Sequence, residues 1–110
     1  MELNEQVVAT AVAEAMVAAR TATCDYLDAN GHGLPFGLAW VGTRESGSSK
    51  VVRLLKKHGF MRSHGGGYVL WNPSGSSTQC MAALTSGAQA AANVLTAQLG
   101  YEFHMGNKID

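Results

Sequence analysis

Two stretches of this chain are best equipped to hold an anion: Gly42-Thr43-Arg44-Glu45-Ser46-Gly47-Ser48-Ser49-Lys50 and Asn72-Pro73-Ser74-Gly75-Ser76-Ser77-Thr78. Each leads into a predicted helix. The first amides of a helix lack partners within it, and seryl and threonyl hydroxyls add donors beside them. Arg44 and Lys50 supply positive charge for a phosphate or carboxylate. The candidate binding residues are Arg44, Ser48, Ser49, Lys50, Ser74, Ser76, Ser77 and Thr78. Neither loop carries G-x-x-x-x-G-K-[ST] or a clean G-x-G-x-x-G. Ordinary capping accounts for the same serines. If the strand order brings both loops to one edge, they form one pocket with Arg44 and Lys50.

The other chemistry-bearing residues are scattered. His58 and His64 are near in sequence; His32 and His104 are distant, and Cys24 and Cys80 fall on different predicted helices. No C-x-x-C, H-E-x-x-H or H-x-x-x-H spacing occurs, so neither a metal site nor a cofactor is expected. There is no G-x-S-x-G, and carboxylates are scarce outside the first helix. No catalytic residue is assigned from the residues alone.

Charge is balanced overall and uneven along the chain. Eight Lys and Arg offset eight Asp and Glu. The first 43 residues hold five acids (Glu2, Glu5, Glu14, Asp25, Asp28) and one base, Arg20. Residues 44–64 hold six bases (Arg44, Lys50, Arg53, Lys56, Lys57, Arg62) and one acid, Glu45. The 50–64 segment is the candidate contact for nucleic acid or an acidic partner. The competing reading is a solvated helix face balanced by the acidic first helix. Tyr68 and Trp71 near the glycine turn invite comparison with single-strand stacking modules. They fall on opposite strand faces, so they form no common platform, and Trp40 and Trp71 are expected in the core.

These residues need elements to position them. Apolar residues from Leu3 to Leu27 recur at helical spacing and predict one helix over 3–30, closed by Asn30-Gly31. Residues 36–42 read as a strand with Phe36, Leu38 and Trp40 on one face and Gly37, Ala39 and Val41 on the other. The small residues let a helix pack closely. A helix runs from Ser48 or Ser49 to His58. Residues 60–64 and 68–71 flank Gly65-Gly66-Gly67 as a hairpin. A second long helix spans about 78–99, and Gly87 within it marks a close helix contact. Tyr101, Phe103 and Met105 alternate with Glu102 and His104 as a half-buried strand.

The expected architecture is α+β: a long N-terminal helix (1–31), then a 36–106 core in the order β-α-β-β-α-β. That order is the ferredoxin-like one, with a four-stranded antiparallel sheet and helices packed on it. At 110 residues and 46% hydrophobic, the chain makes a single domain, 1–110. No run approaches an uninterrupted apolar membrane span, and the start has no basic n-region. A small soluble cytosolic domain with no membrane partner is expected. The first helix covers the open sheet face or docks on a second copy, making a homo-oligomer.

Two resemblances add to this. Residues Ser49 to Phe60, followed by Ser63-His64-Gly65, resemble the start of the HicA toxin family, small ribonucleases with a double-stranded-RNA-binding-like fold. That resemblance implies His64 as the catalytic residue; Arg62 stands where the family's glycine precedes Ser-His. Over nearly the whole chain, Gly37-Leu38-Ala39-Trp40-Val41, Leu70-Trp71-Asn72-Pro73-Ser74-Gly75 and the terminal Asp110 resemble a group of small bacteriophage proteins. This implies a phage origin and action in the host bacterial cytoplasm, and no activity. The leading expectation is a non-enzymatic phage accessory protein that binds a host protein or a small anionic or nucleotide ligand, as an inhibitor or sponge of host defence. The alternatives are an RNA-binding or RNA-cleaving domain and a structural oligomer.

Overall fold

A computed structural model describes residues 2–110. The chain is α+β, with a long N-terminal helix and a four-stranded antiparallel open sheet. Helix α1 spans Glu5–Asn30. Asn4 caps it by accepting the Val7 amide at 2.9 Å, and Gly31 (φ 74°) ends it with its N–H on the Leu27 carbonyl. Strand β1 (Gly37–Thr43) leads to α2 (Lys50–Lys56), then β2 (Met61–Arg62), β3 (Tyr68–Trp71), α3 (Met81–Leu99) and β4 (His104–Ile109). The sheet order is β2-β3-β1-β4, and every neighbouring pair is antiparallel.

The register assigns the faces, because directly opposed residues share one. Val41 opposes Leu70 and Met105, and Thr43 opposes Tyr68. This face carries the helices. Ala39 and Met105 pack against Leu84 and Ala88 of α3. A Cβ on Gly37 would come within 2.9 Å of the Met81 side chain, so the small β1 residues admit α3 as the sequence pattern predicts. Val51, Val52 and Leu55 of α2 join Val41, Phe60, Leu95 and Phe103 in the main core.

Helix α1 lies along α3, antiparallel to it, and also meets α2. Its buried stripe is Val8, Ala11, Val12, Ala15, Ala19 and Thr23, which meets Ala83, Gly87, Ala91 and Ala92 of α3 among others. The Thr23 hydroxyl donates to the Ala83 carbonyl at 2.8 Å. Gly87 is the close contact: a Cβ there would lie 2.3 Å from Thr23 Oγ1 and 2.9 Å from the Ala19 carbonyl. The expectation that α1 covers the open sheet face is corrected here. Its apolar stripe is used on α3, which leaves that face bare and Val17 exposed on the helix's back. By length and composition alone α1 is apolar enough to cross a membrane, as the core helices of soluble proteins can also be. Its alanines are instead the reason the two helices approach closely.

Several boundaries move. Residues 101–103 turn rather than pair. Gly100 is left-handed at the α3 end, and the Phe103 amide donates to Thr96 Oγ1 at 3.0 Å. This holds the chain in a turn, so β4 starts at His104. Likewise α3 starts at Met81, because residues 72–79 are fixed as a loop and Phe36 forms a bridge with Cys80.

Candidate binding surface

The two serine loops do not meet. Residues 44–49 leave β1 beside Tyr68, the first residue of β3. Residues 72–78 leave β3 beside the opposite end of β1, where the Asn72 amide donates to the Ala39 carbonyl and the Gly37 amide to that of Gln79. Antiparallel pairing of β1 and β3 separates the loops by the length of the strands. A single pocket using both is therefore not formed.

Within each loop the hydroxyls serve the backbone. Ser49 caps α2 by accepting the Val52 amide at 3.3 Å, and its own hydroxyl donates to the Ser46 carbonyl at 2.7 Å. Ser48 Oγ lies 2.9 Å from Ser46 Oγ. Lys50 and Arg44 are exposed. In the other loop Asn72 adopts φ 45°, a conformation that Asn tolerates better than most residues. Its amide donates to the Ser76 carbonyl, and it accepts from Ser74 Oγ at 2.9 Å. Ser74 Oγ, Ser76 Oγ and Thr78 Oγ1 accept the amides of Ser76, Thr78 and Cys80 in turn. Ser74 and Thr78 are buried; Ser77 is exposed. His32 Nδ1 meets Thr78 Oγ1 at 2.8 Å. This loop is a chain of side-chain turns whose polar groups satisfy one another.

The basic segment is partly engaged. Lys57 Nζ is 3.6 Å from Glu5 of α1, the balance by the acidic helix that the sequence offers as its competing reading. Lys56 Nζ sits 4.9 Å from the centre of the Tyr68 ring. Lys50, Arg53, Leu54 and Lys57 line a shallow hollow. The histidines are dispersed. His58 Nε2 is enclosed without a hydrogen-bond partner among the described residues. His64 is exposed in the hairpin turn, in a hollow lined by Arg62, Ser63 and Gly66. No group of three His, Cys, Asp or Glu side chains able to hold a metal occurs among the described residues.

The sheet face away from the helices has no covering layer among the described residues. Trp40 of β1 opposes Trp71 of β3, and their ring centres are 4.8 Å apart at 53°. Trp71 is 43% exposed, Leu38 45%, Met61 56% and Phe36 43%. Val69 fills the gap over Gly42, where a Cβ would meet it at 2.8 Å. On β4, Gly106 opposes Trp40, and a Cβ there would meet the indole at 2.3 to 2.5 Å. The indole therefore lies flat across the Gly106 backbone. His104 and Lys108 flank Gly106 on the same face. The expectation that Trp71 lies in the core fails, and Trp40 is only half-buried. The reason is the position of α1: both faces of β1 are apolar, which reads as two-sided burial, but only one has a covering layer. The alternation of Phe36, Leu38 and Trp40 was the available signal. Tyr68 does fall on the opposite face from Trp71; the partner of Trp71 is on the neighbouring strand.

Comparison with known protein families, with characterised proteins and with solved structures finds no match for this chain.

Proposed function

We propose that the protein is a non-enzymatic binding module whose working surface is the open sheet face around Trp40 and Trp71. The observation that carries this reading is the exposure of Phe36, Leu38, Met61 and Trp71 on one continuous face of a small domain. Scattered exposed apolar residues need no explanation, but a contiguous patch rimmed by polar groups marks an interaction site. The serine loops support it by elimination, since their hydroxyls other than that of Ser77 are used internally. We further infer a ferredoxin-like arrangement; the sheet order β2-β3-β1-β4 and its antiparallel pairs support that reading. The resemblance to small phage proteins supports a setting in a phage-infected bacterial cytoplasm, with a host component as partner and counter-defence as the role.

Native mass spectrometry of the protein purified from bacteria tests this, with Trp71→Ser/Leu38→Ser alongside. The expected result is wild-type protein carrying added mass, whether ligand, host protein or a second copy, that the double variant lacks. Identical bare monomers for both, with the variant folded by circular dichroism, would overturn it.

A second reading, a His64-dependent ribonuclease, is favoured by one observation: Arg62, Ser63 and His64 line a single exposed hollow. It predicts RNA cleavage by the wild type that His64→Ala abolishes. Cleavage unchanged by that substitution would end it.

A further inference from the structure

Resting on the reading of the open face as the working surface, we propose that its ligand is single-stranded nucleic acid, with bases stacked on the Trp40–Trp71 pair. The two tryptophans sit on the adjacent strands β1 and β3, the centre of the sheet. A tilted pair with one ring substantially exposed offers an aromatic surface that every base can use, because every base has a π-face. Gly106 keeps the Trp40 indole flat against the sheet, so the platform is set before any ligand arrives.

Charge selects among possible occupants. The four strands contain no Asp or Glu; their charged residues are Arg62 and Lys108. Lys108 opposes Leu38 on the open face, and Arg44 continues the Leu38-Trp40-Gly42 alternation at the other end. Leu38 and Arg44 are six positions apart, about 20 Å along the chain, so the two cations bracket the tryptophans. Glu45 and Glu102 share a hollow with Arg44 and His104, and Asp110 follows β4, so the ends are mixed while the centre is free of acid. Five of the eight acids lie in the first 28 residues, and four of those are on α1, in the helical layer behind the sheet. An apolar centre with cations at both ends suits a chain of bases joined by phosphates better than a second copy, which would bring the same cations to the interface.

Fluorescence anisotropy with a labelled 12-nucleotide single strand of mixed sequence tests the proposal, in RNA and DNA forms. Trp71→Ala is expected to weaken binding by roughly fivefold to a hundredfold, the range of one lost base stack. Trp71→Phe should retain most of the affinity, which separates loss of stacking from loss of fold. With two phosphates neutralised, the logarithmic salt slope is expected near −1.4, at about 0.7 per contact. Binding that ignores Trp71 but falls on Lys50→Ala/Arg53→Ala, with a steeper slope, would overturn the proposal in favour of α2. A dimer by sedimentation that Trp71→Ala dissociates, without oligonucleotide binding, would overturn it and leave the open face as the working surface. A monomer that binds neither form, and carries no added mass, would overturn both readings.

Discussion

The α1–α3 interface and the open sheet face are opposite solutions to the same problem. Between the helices the chain uses its smallest residues: Ala11, Ala15 and Ala19 cluster with Ala91 and Ala92, with Gly87 at the tightest point. On the sheet's far side it uses its largest, Trp40 and Trp71, and leaves them uncovered. Small residues gain contact by close approach of backbones, so the helical interface is sealed and intolerant of added atoms. Large exposed rings contribute less to the fold, because much of their surface remains in water. What the sheet face lacks in stabilisation it has in capacity for a partner.

The largest expected effect comes from breaking the sealed side. Gly87→Val would drive methyl groups into Thr23 Oγ1 and the Ala19 carbonyl; the latter is backbone and cannot swing aside. A loss of about 3 kcal/mol is expected in urea unfolding, near the upper end for overpacking. Leu95→Ala, at a fully buried α3 position, should cost a similar amount, about 3 kcal/mol, by leaving a cavity. Equal stability of wild type and Gly87→Val would show that α1 is not docked as described.

On the open side the same class of substitution should cost far less. Trp71→Ser removes the ring pair and part of the apolar cover over the sheet, for about 1 kcal/mol by the same urea measurement. A loss as large as that of Leu95→Ala would mean the face is covered by something in solution. Such an outcome would itself point to a second copy.

What the sequence made legible follows this contrast. The spacing of Val8, Ala11, Val12, Ala15 and Ala19 predicts the first helix within two residues, and Gly87 marks the close approach. The alternation in 36–42 separates the two faces of β1 correctly. Which face would be covered was not legible, since it depends on where α1 docks, and that is decided by helix–helix shape rather than periodicity. The condition for a single pocket between the two serine loops goes unmet for a related reason. Two serine-rich loops before helices look equivalent in sequence, and only the antiparallel pairing of β1 with β3 sends them to opposite ends. The start of β4 was missed because the Phe103 amide is taken by Thr96 Oγ1, a contact that alternation alone does not encode.

A subtler test asks whether the platform is preformed. Gly106→Ala places a methyl where the Trp40 indole lies. The ring can swing toward solvent, so the stability change should be small, about 0.5 kcal/mol, because the clash is with a side chain that has room to move. The geometry of the pair should change more than the energy. Coupled indoles 4.8 Å apart give a paired signal in far-ultraviolet circular dichroism, and Gly106→Ala should diminish it by more than half. An unchanged signal would mean that Trp40 does not rest on Gly106.

The smallest effect is expected at the ion pair between Lys57, at the end of α2, and Glu5 of α1. Lys57 and Glu5 are 3.6 Å apart, and their side chains are 57% and 61% exposed. At that exposure, water and salt screen the attraction, and ordering two long side chains offsets most of what is left. Glu5→Gln should therefore shift unfolding by no more than about 0.3 kcal/mol. Its influence should appear in binding, if α2 is the nucleic-acid surface, because freeing Lys57 adds a cation there. Affinity for the 12-nucleotide strand that rises on Glu5→Gln would favour α2. Affinity that stays constant while Trp71→Ala lowers it would separate the two surfaces, with the helical side left to hold the fold and the sheet side to bind.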